Sequence, residues 1–197
     1  FIGENFQIKG LNILPLDGYL LKMRLYKRHL RWTKEFVENN ISIIEQNYSL
    51  HPYKNKWKCN VHSVHDYETE NVYMIDYKFL RKEYEKVAAD AAKKYGIEKY
   101  GLGDIWYNYY KKGQYQEPHK HLGPNNDIKA GGFTAVHYMI FDPKYHFPTQ
   151  FTDPNLKSLQ VRCGDIVFFP DDVEHYVPEN ETDKPRLTTA FTVTRFH

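Results

Sequence analysis

Apolar positions recur every three or four residues between residues 76 and 96. In DYKFLRKEYEKVAADAAKKYG, Leu80, Tyr84, Val87, Ala88, Ala91 and Tyr95 fall on one face. Asp76 can cap the start, Lys93 and Lys94 suit the negative end of the helix dipole, and Gly96 suits the stop. The pattern predicts an amphipathic helix lying against a sheet. KRHLRWTKEFVENN (27–40) repeats it more weakly, with Leu30, Lys34, Phe36 and Val37 near helical spacing and Asn39–Asn40 as the stop. Residues 45–60 read as polar and irregular. Residues 1–27 read as strands ending in GYLLKMRLY, and KWKCNVHSV (56–64) alternates enough to be a strand.

From residue 104 the period changes to that of strands and turns. DIWYNYY (104–110) runs into a KKG turn, and FTAVHYMIF (133–141) is a strand. SLQVRCGDIVFFP (158–170) reads as two strands around a Cys163–Gly164–Asp165 turn. HYVPE is short, and RLTTAFTVTRF (186–196) alternates strictly. The loops 122–132 and 142–157 are long, and Gly123, Gly131 and Gly132 suit lids over a binding site. Without repeats or low-complexity tracts, the 197 residues form one α+β domain, 1–197. Supporting helices and strands occupy 1–103, and an antiparallel barrel or jelly roll occupies 104–197.

Composition narrows the classes. Aromatics reach 16%, mostly tyrosine, so much of the core keeps a polar handle that needs a partner. A net charge of +2 gives no case for nucleic acid. Lys22, Arg24, Lys27, Arg28, Arg31 and Lys34 cluster in KMRLYKRHLRWTK, which reads first as a solvated face and second as a patch for an acidic partner. Two cysteines far apart, Cys59 and Cys163, argue against a disulfide framework and fit a reducing, cytoplasmic setting. No apolar run approaches the length of a membrane span.

The candidate chemistry lies in the histidines. His29, His51 and His197 sit in charged or loop segments and read as solvated, and His146 lies in a proline-rich loop. His62 and His65 are three apart where the chain reads as strand, so they face opposite sides. His137 neighbours Tyr138, so only one of the two faces the barrel interior. His119 and His121, in EPHKHLGP, are two apart, and on an extended strand their side chains share a face. His175 is the candidate third ligand, after an apolar strand and a short loop. Eleven residues on, Arg186 shares a strand face with Thr188. An inward arginine needs an anion, and a guanidinium beside a hydroxyl makes a carboxylate clamp.

In this order and spacing, WYNYYKKG…EPHKH, HYMI, CGDIVFFPDDVEHYVPE and RLTT resemble the 2-oxoglutarate- and Fe(II)-dependent oxygenases. The likeness is to the small prolyl-hydroxylase-like group common in phages and bacteria, and it covers roughly 104–196. It implies a double-stranded β-helix (jelly-roll) core with supporting N-terminal helices. His119, His121 and His175 become the metal and catalytic set, and Arg186 holds the far carboxylate of 2-oxoglutarate with Thr188 beside it. Tyr138 hydrogen-bonds that carboxylate, and Asn108 and Tyr110 line the pocket. The implied activity is a dioxygenase that hydroxylates a C–H bond of a small-molecule or peptide substrate, peptidyl proline among them. Fe(II), 2-oxoglutarate as co-substrate and ascorbate as supporting reductant go with it.

Position 121 departs from the pattern, which has Asp or Glu there. Three readings stand: His121 replaces the carboxylate, Glu117 ligates instead, or the site binds metal without turnover. Two rivals to the oxygenase stand as well. A cupin-like metalloenzyme that does not use 2-oxoglutarate needs the histidines but not Arg186. A non-enzymatic β-barrel binding module needs no tight metal.

Overall fold

The computed structural model describes residues 25–50, 61–65, 76–121 and 132–196. The elements are β1 (Tyr26–His29), α1 (Thr33–Leu50), β2 (His62–His65), α2 (Tyr77–Tyr95), β3 (Tyr100–Tyr110) and β4 (Gln116–His119). They continue with β5 (Phe133–Ile140), β6 (Gln150–Phe151), β7 (Asp165–Pro170), β8 (His175–Val177) and β9 (Arg186–Arg195). A six-stranded sheet runs β1-β7-β5-β9-β3-β2 and a three-stranded sheet runs β4-β8-β6, all pairs antiparallel. The architecture is α+β with a double-stranded β-helix core.

Strand alternation divides the large sheet into two buried faces. Phe133, Ala135 and Met139 of β5, Ile166 and Phe168 of β7, and Leu187, Phe191 and Val193 of β9 pack with the helices. Val136, Tyr138, Val167, Phe169 and Ala190, one residue out of phase, pack between the sheets. A strand buried on both faces reads as continuous apolar sequence, and β5 is buried along nearly its whole length. Helix α2 follows the expected pattern: Asp76 Oδ1 accepts the Phe79 N–H (2.9 Å). Gly96 ends it at φ +68°, where a side chain would be strained. Among the described residues no helix is long and apolar enough to cross a membrane.

Several expectations change. Residues 26–29 are strand, because β1 pairs with β7, and the helix starts only at Thr33. It then runs through Asn39–Asn40 to Leu50, so 45–50 are helical. Asn40 is no stop, because its buried Nδ2 donates to the Phe36 carbonyl (2.8 Å) inside the helix. Residues 158–162 form no strand. Their would-be partner β7 already has β1 and β5 on its two sides, so no edge is left for a hairpin. The turn at Gly164 is present, its N–H donating to the Tyr138 carbonyl (2.8 Å). The strands read in 1–24 and 56–60 lie outside the described residues. The first hundred residues do more than support the core, since β1 and β2 form the two edges of the large sheet.

Candidate metal centre

β4 and β8 bring two histidines face to face. His119 and His175 are direct partners in the small sheet, with ring centroids 4.2 Å apart. His121 lies just beyond the end of β4, where its N–H donates to the Asp171 carbonyl (3.1 Å). Its ring centroid is 5.0 Å from His119 and 5.1 Å from His175. One ligand atom from each ring lies within 4.8 Å of the others, and Glu117 is not part of this group.

Local hydrogen bonds set the tautomers. His119 Nδ1–H donates to the Glu117 carbonyl (2.8 Å), and His175 Nδ1–H donates to the Val173 carbonyl (3.0 Å). A carbonyl only accepts, so the hydrogen sits on Nδ1 and Nε2 presents its lone pair to the cleft. Burial, and then the neighbouring His119, push the His175 imidazole down to about 3; burial also lowers that of His119. Neutral imidazoles with fixed Nε2 lone pairs are what a divalent transition metal requires. The three-histidine set fits such an ion.

The facing side of the cleft belongs to the large sheet. Arg186 is only 2% exposed, and its Nε, Nη1 and Nη2 have no hydrogen-bond partner. Its guanidinium lies 4.7 Å from the Tyr110 ring centroid and 5.6 Å from that of Tyr138. The two rings stabilise the cation but satisfy none of its directed N–H groups. Thr188 and Asn108, opposite each other across β9 and β3, line the cleft with the histidines, and Asn108 Oδ1 is buried without a partner. Tyr110 donates its hydroxyl to Gln116 Oε1 (2.9 Å), so it serves as a platform for Arg186 and a tie between the sheets. Tyr138 Oη accepts the Thr149 N–H (3.0 Å), which leaves its own hydrogen to be donated. A dry, orphaned guanidinium beside hydroxyl donors fits one carboxylate group.

Of the site candidates read from sequence, His119, His121, His175, Thr188, Asn108 and Tyr110 line one cleft, and Arg186 and Tyr138 adjoin it through the Tyr110 ring and Thr149. Thr149 and Gln116 come from outside the motifs, and Trp106 and Asp171 lie within two of them without being among the site candidates. Trp106 sits 5.2 Å from His121, ring to ring. Asp171, whose carboxyl burial raises to about 7 against the Thr134 hydrogen bond, holds His121 through its backbone. Nothing local in HFPTQF or FPDD marks Thr149 or Asp171, because both act through contacts distant in sequence.

The remaining histidines are structural where described. His29 is not simply solvated: it pairs with Asp165 at 2.8 Å. His137 faces the helices, between Thr33 Oγ1 (2.8 Å) and Tyr84 Oη (2.9 Å), so Tyr138 takes the interior. His146 is buried, accepting from Asp142 N and donating to the Lys184 carbonyl. The side chains of His62 and His65, and all of His51 and His197, lie outside the description. The basic stretch pairs internally: Arg28 meets Asp90 (3.0 Å) and Lys27 meets Asp165 (3.4 Å). Cys163 is half-buried, donates to the Met139 carbonyl, and has its thiol pushed up by burial, an inert setting. Residues 142–157 are not a loose lid, since His146, Thr149 and β6 tie them to Lys184, Tyr138 and β8. Gly132 serves close packing rather than freedom, because a Cβ there would run into Asp171 Oδ2 and the Val193 carbonyl. Residues 122–131 lie outside the description.

No protein-family model matches the chain, and no curated protein matches it in sequence. Solved structures do. A viral collagen prolyl hydroxylase from Paramecium bursaria Chlorella virus-1, in complex with 2-oxoglutarate, superposes with a TM-score of 0.62 at 14% identity, covering 90% of this chain and 99% of that one. A prolyl-4-hydroxylase from Pseudomonas putida gives 0.59 at 12% identity, covering 91% and 96%. HygX from Streptomyces hygroscopicus, with nickel and 2-oxoglutarate bound, gives 0.61 at 14% identity, covering 87% and 82%. The chain shares the fold of these 2-oxoglutarate-dependent oxygenases.

Proposed function

We propose that the protein is a 2-oxoglutarate- and Fe(II)-dependent dioxygenase that hydroxylates a C–H bond of a small molecule or peptide, peptidyl proline being one candidate. One observation carries the reading: a buried arginine without a hydrogen-bond partner packs on Tyr110, which lines the cleft where three histidines converge. A metalloenzyme without a dicarboxylate co-substrate uses the histidines but leaves Arg186 as an uncompensated buried charge, which costs several kcal/mol, on the order of 3–5. A binding module has no use for two imidazoles locked with Nε2 toward a third.

His119, His121 and His175 would hold the metal. Arg186, with Tyr138 and Thr188, would hold the distal carboxylate of 2-oxoglutarate, and Asn108 and Tyr110 would line its path. Iron with 2-oxoglutarate and O2 supplies oxidative decarboxylation to succinate and CO2, coupled to hydroxylation. The chain's own work is to fix the ligand set, orient the co-substrate and keep the cleft dry. Phe169 packs on His175 at 4.6 Å and Trp106 on His121, which excludes water from the ligands. The unpaired cysteine fits a cytoplasmic setting.

The test is succinate formation. Metal-free protein incubated with Fe(II), 2-oxoglutarate and ascorbate under air should release succinate without added substrate, as uncoupled turnover. Arg186→Ala and His175→Ala should abolish it. Tight iron binding with no 2-oxoglutarate dependence would favour the cupin-like reading instead, and no metal binding would favour the module.

A further inference from the structure

β1 is an edge of the large sheet, and its hydrogen bonds show which of its backbone groups face outward. Leu30 N–H donates to the Gly164 carbonyl (2.7 Å), the pair next in register after His29 and Asp165. Ladder bonds of an antiparallel pair fall on alternate residues, so Arg28 and Tyr26 bond to β7. The N–H and C=O groups of Lys27 and His29 therefore point away from the sheet, and among the described residues no hydrogen bond reaches them. Lys27, Arg28 and His29 are all exposed.

These three residues border a groove of about 1010 Å³ that shares no lining residue with the metal cleft. Phe141, Tyr145, Leu159 and Phe147 give it an apolar wall, and Phe147 is 53% exposed. Lys27, Arg28, Lys144 and Arg162 outnumber its two carboxylates, Asp165 and Glu181. Asp165 is taken by Lys27 and His29, and Arg28 is taken by Asp90. Lys144 and Arg162 have no carboxylate partner among the described residues. The groove thus joins an open strand edge, an apolar wall and unmatched positive charge.

A short, charged edge strand keeps a sheet from pairing with its own copies, because Lys27 and Arg28 repel the same residues of a second chain. The same charges attract an acidic strand. A nucleic acid matches the charge but not the alternating donors and acceptors of the edge, which a peptide backbone matches group for group.

We propose that β1 and this groove are a docking site for an extended acidic segment of a partner protein. The segment adds to β1 as a further strand, bonded to the outward groups of Lys27 and His29. Its carboxylates meet Lys144 and Arg162, and an apolar side chain covers Phe147. The site is independent of the oxygenase reading.

Fluorescence anisotropy of a labelled Glu-Val-Glu-Phe-Glu-Val-Glu peptide with the full chain tests it. The peptide should bind saturably and more weakly as salt rises, and its counterpart with lysine for glutamate should not bind. Lys144→Glu with Arg162→Glu should weaken the acidic peptide about tenfold or more. Lys27→Pro should bind it about fivefold more weakly than Lys27→Ala. Both lose the ammonium, but only proline lacks the outward N–H, which no ladder bond uses. Unchanged Ni(II) affinity in these variants shows that they fold. No binding by the wild-type chain overturns the proposal, as does binding that withstands the charge reversal, or equal affinity of Lys27→Pro and Lys27→Ala. Tighter capture of oligothymidylate, lost on charge reversal, would make the groove a nucleic-acid surface instead. A dimer seen by sedimentation and abolished by Lys27→Pro would assign the edge to a second copy of the chain.

Discussion

His119 and His175 are held by the same device on opposite strands. Each donates Nδ1–H to the carbonyl two residues before it, Glu117 for one and Val173 for the other, and the rings meet at 4.2 Å. The ladder sets the distance between them, and the carbonyls set which nitrogen faces the cleft. Ion binding is thus prepared by backbone geometry before any metal arrives.

The first prediction follows directly. Saturating Ni(II) or Mn(II), at about 100 times its dissociation constant, should add about 2.7 kcal/mol of stability. For a chain of this length that raises the melting temperature by roughly 5–10 °C. His119→Ala and His175→Ala should each abolish the rise, as read by differential scanning fluorimetry. A rise of the same size in either variant would exclude these residues as ligands.

Arg186 should show function and stability pulling apart. Stacking on Tyr110 and Tyr138 offsets part of the cost of desolvating the guanidinium but gives none of its N–H groups an acceptor. Arg186→Met, similar in length and uncharged, should therefore raise the metal-free protein's stability by about 1–3 kcal/mol. The same change should weaken 2-oxoglutarate binding by about two orders of magnitude or more. Urea unfolding and calorimetry measure the two. A destabilised Arg186→Met would mean that the charge is compensated within the protein.

Strand periodicity paired His119 with His121 and Arg186 with Thr188 in the sequence, because i and i+2 share a face of a strand, while Asn108, Tyr110 and Tyr138 came from the family resemblance. Helix α2 was equally legible, with its cap, apolar face and stop all local. Features set by tertiary contact were not. Residues 26–29 become strand only because β7 offers an edge, and Asn40 stays inside α1 because its amide finds the Phe36 carbonyl. Residues 158–162 are denied pairing by strands far away in sequence. Thr149 and Asp171 reach the cleft through Tyr138 and His121, and no local period marks such a contact.

Replacing His121 should change metal preference more than fold. An aspartate at this position swaps a borderline imidazole for a hard, anionic oxygen, which favours Mn(II) and Fe(II) relative to Ni(II). His121→Asp should tighten Mn(II) binding about tenfold while weakening Ni(II), measured by competitive titration with a chromophoric chelator. Glu117→Gln should leave both affinities unchanged, because Glu117 reaches the site through its carbonyl to His119. A loss of metal affinity in Glu117→Gln matching that in His121→Ala would instead make the Glu117 carboxylate a ligand.

Acid should destabilise the protein through its buried histidines, and His137 is one that lies apart from the metal ligands. Thr33 Oγ–H is donated to the Leu30 carbonyl, so Thr33 accepts from His137 Nε2–H, while Tyr84 donates to Nδ1. Both nitrogens are satisfied only in the neutral form, and burial, with His29 nearby, pushes the imidazole down to about 3. The unfolded value is about 6.5, so between these limits the unfolded chain binds a proton that the folded chain refuses. Stability therefore falls as pH drops below 6.5, by about 1.4 kcal/mol per pH unit for this residue, and the loss ends near pH 3. His175 adds a similar slope in the metal-free protein only, because a bound ion occupies its Nε2. Glutamine at position 137 can donate to Thr33 and accept from Tyr84 without titrating. Urea unfolding of the metal-free protein between pH 7.5 and 5 should show His137→Gln losing one proton's worth of slope relative to wild type. An unchanged slope would mean that His137 takes up its proton in the folded state.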